Sequence, residues 1–300
     1  MTSLYGVVLT GENPKVERGC TFLQKLILRN ISSSSNTMKF LLIDGSYYVF
    51  YRFHAIKQWW KNAHPGEEIG IPHENPVFME TFKRTFITKF REIPKKLKIG
   101  SCVTLVGQDC PRSEIWRTQI YPEYKGTRDN GAELEIAPFF EEAYNGLMNQ
   151  TDNQALLSHP KLEADDCLAL ATSHIVERYP DAEVYIITSD ADYLQLASER
   201  VHLYDLKFKN LRETKSFHQD AETSLLCKIM MGDKSDNIQP IFKGCGLQTA
   251  LKLKGNPELL REKLKNPEIM QKYQLNKTLI DFSCIPVELS QSFRTTVLKL

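Results

Sequence analysis

Short apolar runs alternate with longer amphipathic stretches along most of this chain, and that alternation predicts an α/β fold. Lys39 to Ile43 is a compact apolar run ending in Asp44-Gly45-Ser46, and a helical aromatic pattern follows as far as Trp60. Phe78 to Phe90 has helical spacing with Lys83, Arg84, Lys89 and Arg91 on its polar side. Ser101 to Val106 is a second strand, closing on Gly107-Gln108-Asp109. An amphipathic helix spans Glu163 to Arg178. Ala182 to Thr188 then makes a strand, leading through Ser189-Asp190-Ala191-Asp192 into a helical Tyr193 to Ala197, and Val201 to Leu206 is the last strand. Four strands alternating with helices predict a mainly parallel sheet, whose ligands gather beyond the carboxyl ends of the strands.

The remaining stretches set the organisation. Residues 1–37 form a leader that closes on Ser32-Ser33-Ser34-Ser35-Asn36, a linker by composition, and it is expected to be poorly ordered. Glu12 and Glu17 argue against a mitochondrial signal there, and Met38 is an alternative start. Between Asp109 and Lys161 there is little strand pattern, but Arg112, Arg117, Lys125 and Arg128 alternate with Trp116, Tyr121 and Tyr124. Such interleaving suits phosphate contacts plus base stacking, although an ordinary solvated helix and loop would read the same way. From Gln219 onward the pattern is helical, and Thr278-Leu279-Ile280-Asp281-Phe282 is expected to pack back on the main domain.

Composition narrows the class. The 300 residues are 42% hydrophobic and carry a net charge of +1, enough for one large domain with a smaller appendage. Near-neutral charge does not exclude a polyanionic partner, because a cluster of acids can mask a basic surface elsewhere. The seven cysteines are odd in number and scattered singly, which predicts free thiols in a reducing, intracellular compartment and no secretion. No apolar run approaches the roughly 20 residues of a membrane helix.

The candidate chemistry lies in the acids. Lys161-Leu162-Glu163-Ala164-Asp165-Asp166 places three carboxylates at the start of a helix, where the macrodipole alone would favour them. Four further acidic stations follow predicted strand ends or turns: Asp44, Asp109, Asp190 with Asp192, and Asp233 with Asp236. Alone, Asp44 reads as a turn or cap residue. If the stations converge, their repulsion requires a bound dication. The segment Lys243-Gly244-Cys245-Gly246, with Lys252 and Lys254 beyond it, is a glycine turn opening a helix, able to present backbone amides to a phosphate.

Taken in order, Leu-Ile-Asp-Gly-Ser, Arg-x6-Tyr-Lys-x-x-Arg, Glu-Ala-Asp-Asp, Thr-Ser-Asp-Ala-Asp, Gly-Asp-x-Ser-Asp-Asn and Lys-Gly-x-Gly resemble the flap endonuclease/5′-3′ exonuclease family. The likeness runs from about Met38 to Phe282 and is nearest to phage and viral members and to the 5′-nuclease domain of bacterial DNA polymerase I. The resemblance implies a PIN-like, mainly parallel sheet over 38–215, an arch at about 110–160, and a helical DNA-binding region at 216–300 with a helix-hairpin-helix. It implies that Asp44, Asp109, Glu163, Asp165, Asp166, Asp190, Asp192, Asp233 and Asp236 hold two Mg2+ ions, with Mn2+ able to substitute. Asp109, Glu163, Asp165 and Asp166 would form the tighter set, and Asp233 and Asp236 would act through water.

Arg117, Tyr124, Lys125 and Arg128 match positions that contact the scissile region. Gly244, Cys245 and Gly246 match the element that grips duplex DNA, often with K+, and Lys243 and Lys252 stand beside it. Many relatives carry arginine at the place of Tyr51, whereas here it is Arg52, which puts its phosphate role in doubt. The substrates implied are DNA with 5′ flaps, nicks or free 5′ ends, and RNA in RNA/DNA hybrids, bound by a monomer without a sliding-clamp peptide. Two rival readings are an inactive structure-specific DNA-binding protein and a PIN-type ribonuclease.

Overall fold

A computed structural model describes residues 37–127 and 130–299; residues 1–36 of the leader and Arg128 lie outside the described residues. Five strands form one fully parallel sheet: β1 (Lys39–Asp44), β2 (Val103–Gly107), β3 (Ala155–Leu157), β4 (Glu183–Ile187) and β5 (Val201–Tyr204). Their spatial order is β3-β2-β1-β4-β5. The sequence pattern predicts four of them. The fifth, β3, has three residues, too few to display a period, and it falls in the stretch read as lacking strands.

Helices cover both faces, which is why the central β1 and β2 bury successive residues instead of alternating ones. On one face, Leu41, Ile43, Val106 and Ile187 pack under α1 (Gly45–Ala63), α2 (Pro76–Lys96) and α4 (Asn130–Glu142) through Phe53, Phe78, Phe82, Phe86 and Phe139. On the other, Phe40, Leu42, Leu105, Val184 and Ile186 pack under α5 (Ala164–Arg178) through Leu168, Ala171 and Ile175. The α5 helix sits close to β2, because a Cβ added to Gly107 would lie 2.8 Å from Leu168 Cγ and 2.9 Å from the Ala164 carbonyl oxygen. Between β2 and α4 comes a short α3 (Trp116–Ile120).

The C-terminal part comprises α6 (Ala221–Met231), α7 (Leu247–Lys254), α8 (Pro257–Leu264), α9 (Pro267–Ile280) and α10 (Val287–Thr296). As the apolar pattern predicts, the chain then returns: Phe282, Ile285, Phe293 and Leu298 join the core cluster of the sheet. The helix expected at Tyr193 to Ala197 is instead a tight 3-10 turn over Ala191–Leu196. No helix among the described residues is long and apolar enough to cross a membrane.

Candidate active site

Register brings the first acids together. Asp44 lies opposite Gly107, and Ile43 pairs with Ile187, so the residues following β1, β2 and β4 share one carboxyl edge. Asp44 caps α1, its Oδ1 accepting from Tyr47 N at 3.0 Å, and its Oδ2 accepts from the Thr188 hydroxyl at 3.2 Å. Asp109 accepts from Ala164 N at 2.8 Å and from the Ser46 hydroxyl. Burial first, then Asp109 and to a smaller degree Asp190, push the Asp44 carboxyl up to about 7.

The start of α5 contributes Glu163, Asp165 and Asp166, each offering an oxygen within 4.8 Å of the others. Burial, followed by Asp166 and Glu163, raises the pKa of Asp165. Below them lies Arg117 of α3, 2% exposed. Its Nη1 donates to Glu163 Oε2 and Asp166 Oδ2, both at 2.8 Å, its Nη2 to Asp166 Oδ1 at 2.7 Å and its Nε to the Leu279 carbonyl at 2.7 Å. Trp116 Nε1 donates to Asp166 Oδ2 at 2.9 Å. Both oxygens of Asp166 are thus occupied by protein donors. The structure places Arg117 beneath the acids, not at the surface expected for a group meeting the scissile phosphate.

Tyr124 and Lys125 link this group to the next. The Tyr124 hydroxyl is 3.1 Å from both Glu163 Oε2 and Asp236 Oδ2. Lys125 bonds Glu163 through its ammonium, which is also 4.0 Å from Asp236 Oδ2. Its backbone has φ 56°, uncommon for a residue with a side chain, and its N–H donates to the Asp236 carbonyl at 3.0 Å. The lysine is therefore presented by a backbone that its surroundings hold in place.

A second acid group, Asp192, Asp233 and Asp236, also has oxygens within 4.8 Å of one another. Asp192 comes from the 3-10 turn, where its N–H donates to Asp190 Oδ1 at 2.9 Å. Asp233 and Asp236 come from a closed turn after α6, where Asp233 N donates to the Ile238 carbonyl at 2.9 Å and Ile238 N returns to that of Asp233 at 2.7 Å. Gly232 opens that turn at φ 71°, and a Cβ there would stand 2.3 Å from the Ile238 carbonyl oxygen. Lys228 of α6 bonds Asp192, and Asp233 at 2.7 Å. Burial would raise the Asp233 pKa, but Lys228 and Ser235 outweigh it and bring it to about 2. For Asp190, burial wins over the attraction of Lys228 and its carboxyl is raised. Beside this group opens a cleft of about 350 Å³, lined in part by Lys215, His218, Lys228 and Lys234.

Residues 39–224 match the family model described as "5′-3′ exonuclease, N-terminal resolvase-like domain". The chain belongs to the 5′-3′ exonuclease family. It is a nuclease of that family, as the ordered motifs lead one to expect. A 5′-3′ exonuclease of Mycoplasmopsis pulmonis is 27% identical over 82% of this chain and 76% of its own length. The thermostable DNA polymerase I of Thermus aquaticus is 38% identical over 75% of this chain but only 25% of its own length. The T5 5′-exonuclease with bound zinc shares the fold at a TM-score of 0.61 and 16% identity, over 87% of this chain and 98% of that one.

Within this 5′-3′ exonuclease-family chain, the glycine turn lies between α6 and α7. Gly244 has φ 84°, Gly246 caps α7, and added Cβ atoms at either would meet nothing within 4 Å. Cys245 between them is buried with Met230, Ile241, Ala250 and Leu253, so the small apolar residue anchors the turn. Lys243 and Lys252 are exposed beside it. Arg52, by contrast, is 8% exposed, among the buried residues of α1.

The acids suit dications. They are hard oxygen donors, and two oxygens sharing one ion are at most about 5 Å apart when each bond is roughly 2.0–2.6 Å. Both groups meet that condition at 4.8 Å. Three groups escape sequence reasoning. Lys228 is an unremarked cation in an ordinary helix, and Trp116 reads as an arch aromatic. Gln195, whose Nε2 donates to the carbonyls of Asp192 and Ile280 at 3.0 Å, carries no motif. No spacing rule signals any of them.

Proposed function

We propose that this protein hydrolyses phosphodiester bonds in DNA at free 5′ ends and 5′ flaps, with two Mg2+ ions as cofactors and Mn2+ as a substitute. The observation that carries this reading is that two separate acid groups are linked by Lys125, whose ammonium bonds Glu163 and reaches toward Asp236. Asp109, Glu163 and Asp165 would hold one ion and Asp192, Asp233 and Asp236 the other, with Asp44 and Asp190 between them. Bound there, the ions supply an activated water and charge relief for the attacking and leaving oxygens.

The chain's own residues do the rest. Lys125, presented by its left-handed backbone, neutralises charge developing on the phosphate, and Arg128 acts with it. Arg117 and Tyr124 position Glu163 instead of touching substrate. The 38–215 part is catalytic with an arch at about 110–160, while 216–300 grips duplex DNA backbone at Gly244-Cys245-Gly246, with K+ as a candidate ion, and through Lys243 and Lys252. RNA within RNA/DNA hybrids is a second substrate.

The test is a 5′-labelled flap DNA and an RNA of equal length, each incubated with Mg2+ and with chelator, with the cut position mapped. Mg2+-dependent cutting of the flap near its junction supports the proposal. Binding without cutting favours the inactive DNA-binding protein, and preferential cutting of RNA favours the ribonuclease.

A further inference from the structure

Tyr193 sits in the 3-10 turn beside Asp190 and Asp192, fully buried, with its ring in the main core against Phe282 at 6.1 Å. Phenylalanine would fill that space equally well. The hydroxyl is therefore unexplained by packing, and it has no hydrogen-bond partner among the described residues. A buried donor left without a partner is destabilising. Four carboxylates stand near enough to act on it: Asp165 of the first acid group, and Asp44, Asp190 and Asp109 from the strand ends. An ionised carboxylate only accepts, and this hydroxyl can donate.

We propose that Tyr193 is a positioning residue of the metal site, its hydroxyl donating to one of these carboxylates when dications are bound. The inference rests on the two-ion reading above. Each metal-bound carboxylate keeps an oxygen turned away from the ion, and a fixed donor there holds the ligand's orientation. Outer partners of this kind contribute roughly 10–100-fold to metal affinity.

The experiment is Mn2+ titration by calorimetry of the full chain and of Tyr193→Phe, with thermal melts in chelator and in Mn2+. Tyr193→Phe keeps the ring and its contact with Phe282. The expected result is Mn2+ affinity lowered about 10-fold, a melting temperature in chelator equal to or above that of the parent, and a smaller rise on adding Mn2+. Equal affinity for the two proteins overturns the proposal. So does a melting temperature in chelator that falls in the variant, which would mean the hydroxyl is already satisfied in a purely structural role. If the parent protein binds no Mn2+, it is the two-ion reading that fails.

Discussion

Arg117 and Asp166 meet in a two-pronged ion pair, Nη2 to Oδ1 at 2.7 Å and Nη1 to Oδ2 at 2.8 Å, with side-chain exposures of 2% and 0%. A pair this deep costs much desolvation, and removing one partner strands the other charge. Arg117→Met is expected to lower stability by about 3–5 kcal/mol, read from urea unfolding in chelator. A variant of unchanged stability that fails only in cleavage would return Arg117 to the substrate.

Lys125 stands where both acid groups converge. Lys125→Ala should slow single-turnover cleavage of a 5′ flap about 10²–10³-fold while changing flap affinity far less. Equal losses in rate and affinity would refute an electrostatic role at the reacting phosphate.

Lys228 occupies the second acid group with its own positive charge. An ammonium and a dication compete for the oxygens of Asp192 and Asp233. Lys228→Met is expected to lower the melting temperature in chelator, because two acids lose their counter-ion, and to tighten Mn2+ binding at one calorimetric step. Weaker Mn2+ binding would show that the lysine supports the ion and does not exclude it.

Asp44 dictates a pH dependence. Its carboxyl is raised from 3.8 to about 7, so without metal the folded protein holds a proton that the unfolded chain releases near pH 4. Stability in chelator therefore falls as pH rises through that window. Dications need the carboxylate, so Mn2+ affinity should climb by about 10–30-fold between pH 5.5 and 7.5, then level off. A profile that is flat in both measurements would remove Asp44 from the site.

Gln195 ties the acid-bearing turn to the returning C-terminal segment: its Nε2 reaches the Ile280 carbonyl at 3.0 Å and its Oε1 accepts from Phe282 N at 2.9 Å. Arg117 reaches the neighbouring Leu279 carbonyl at 2.7 Å. Gln195→Ala should cost about 1–3 kcal/mol of stability and weaken Mn2+ binding in the same protein. Loss of stability with unaltered Mn2+ affinity would confine the clamp to a structural role.

By itself the sequence determined the alternation of strands and helices, the acids that end β1, β2 and β4, and the glycine turn before α7. Each of these depends on local pattern: a period, a strand-terminal acid, or a residue that tolerates positive φ. The three-residue β3 escaped because so short a run has no period, and the Ala191–Leu196 turn escaped because a single 3-10 turn resembles the start of a helix. Only the tertiary structure decided which charges touch. Parallel register levelled Asp44 with Gly107, and the close approach of α5 to Gly107 brought the Ala164 N–H, between Glu163 and Asp165, to Asp109. The same packing sank Arg117 and Arg52, which had read as DNA-facing cations, and lifted Lys228 out of anonymity. Side-chain burial and ion pairing join residues up to 162 positions apart, as from Arg117 to Leu279, and no local rule in the chain encodes them.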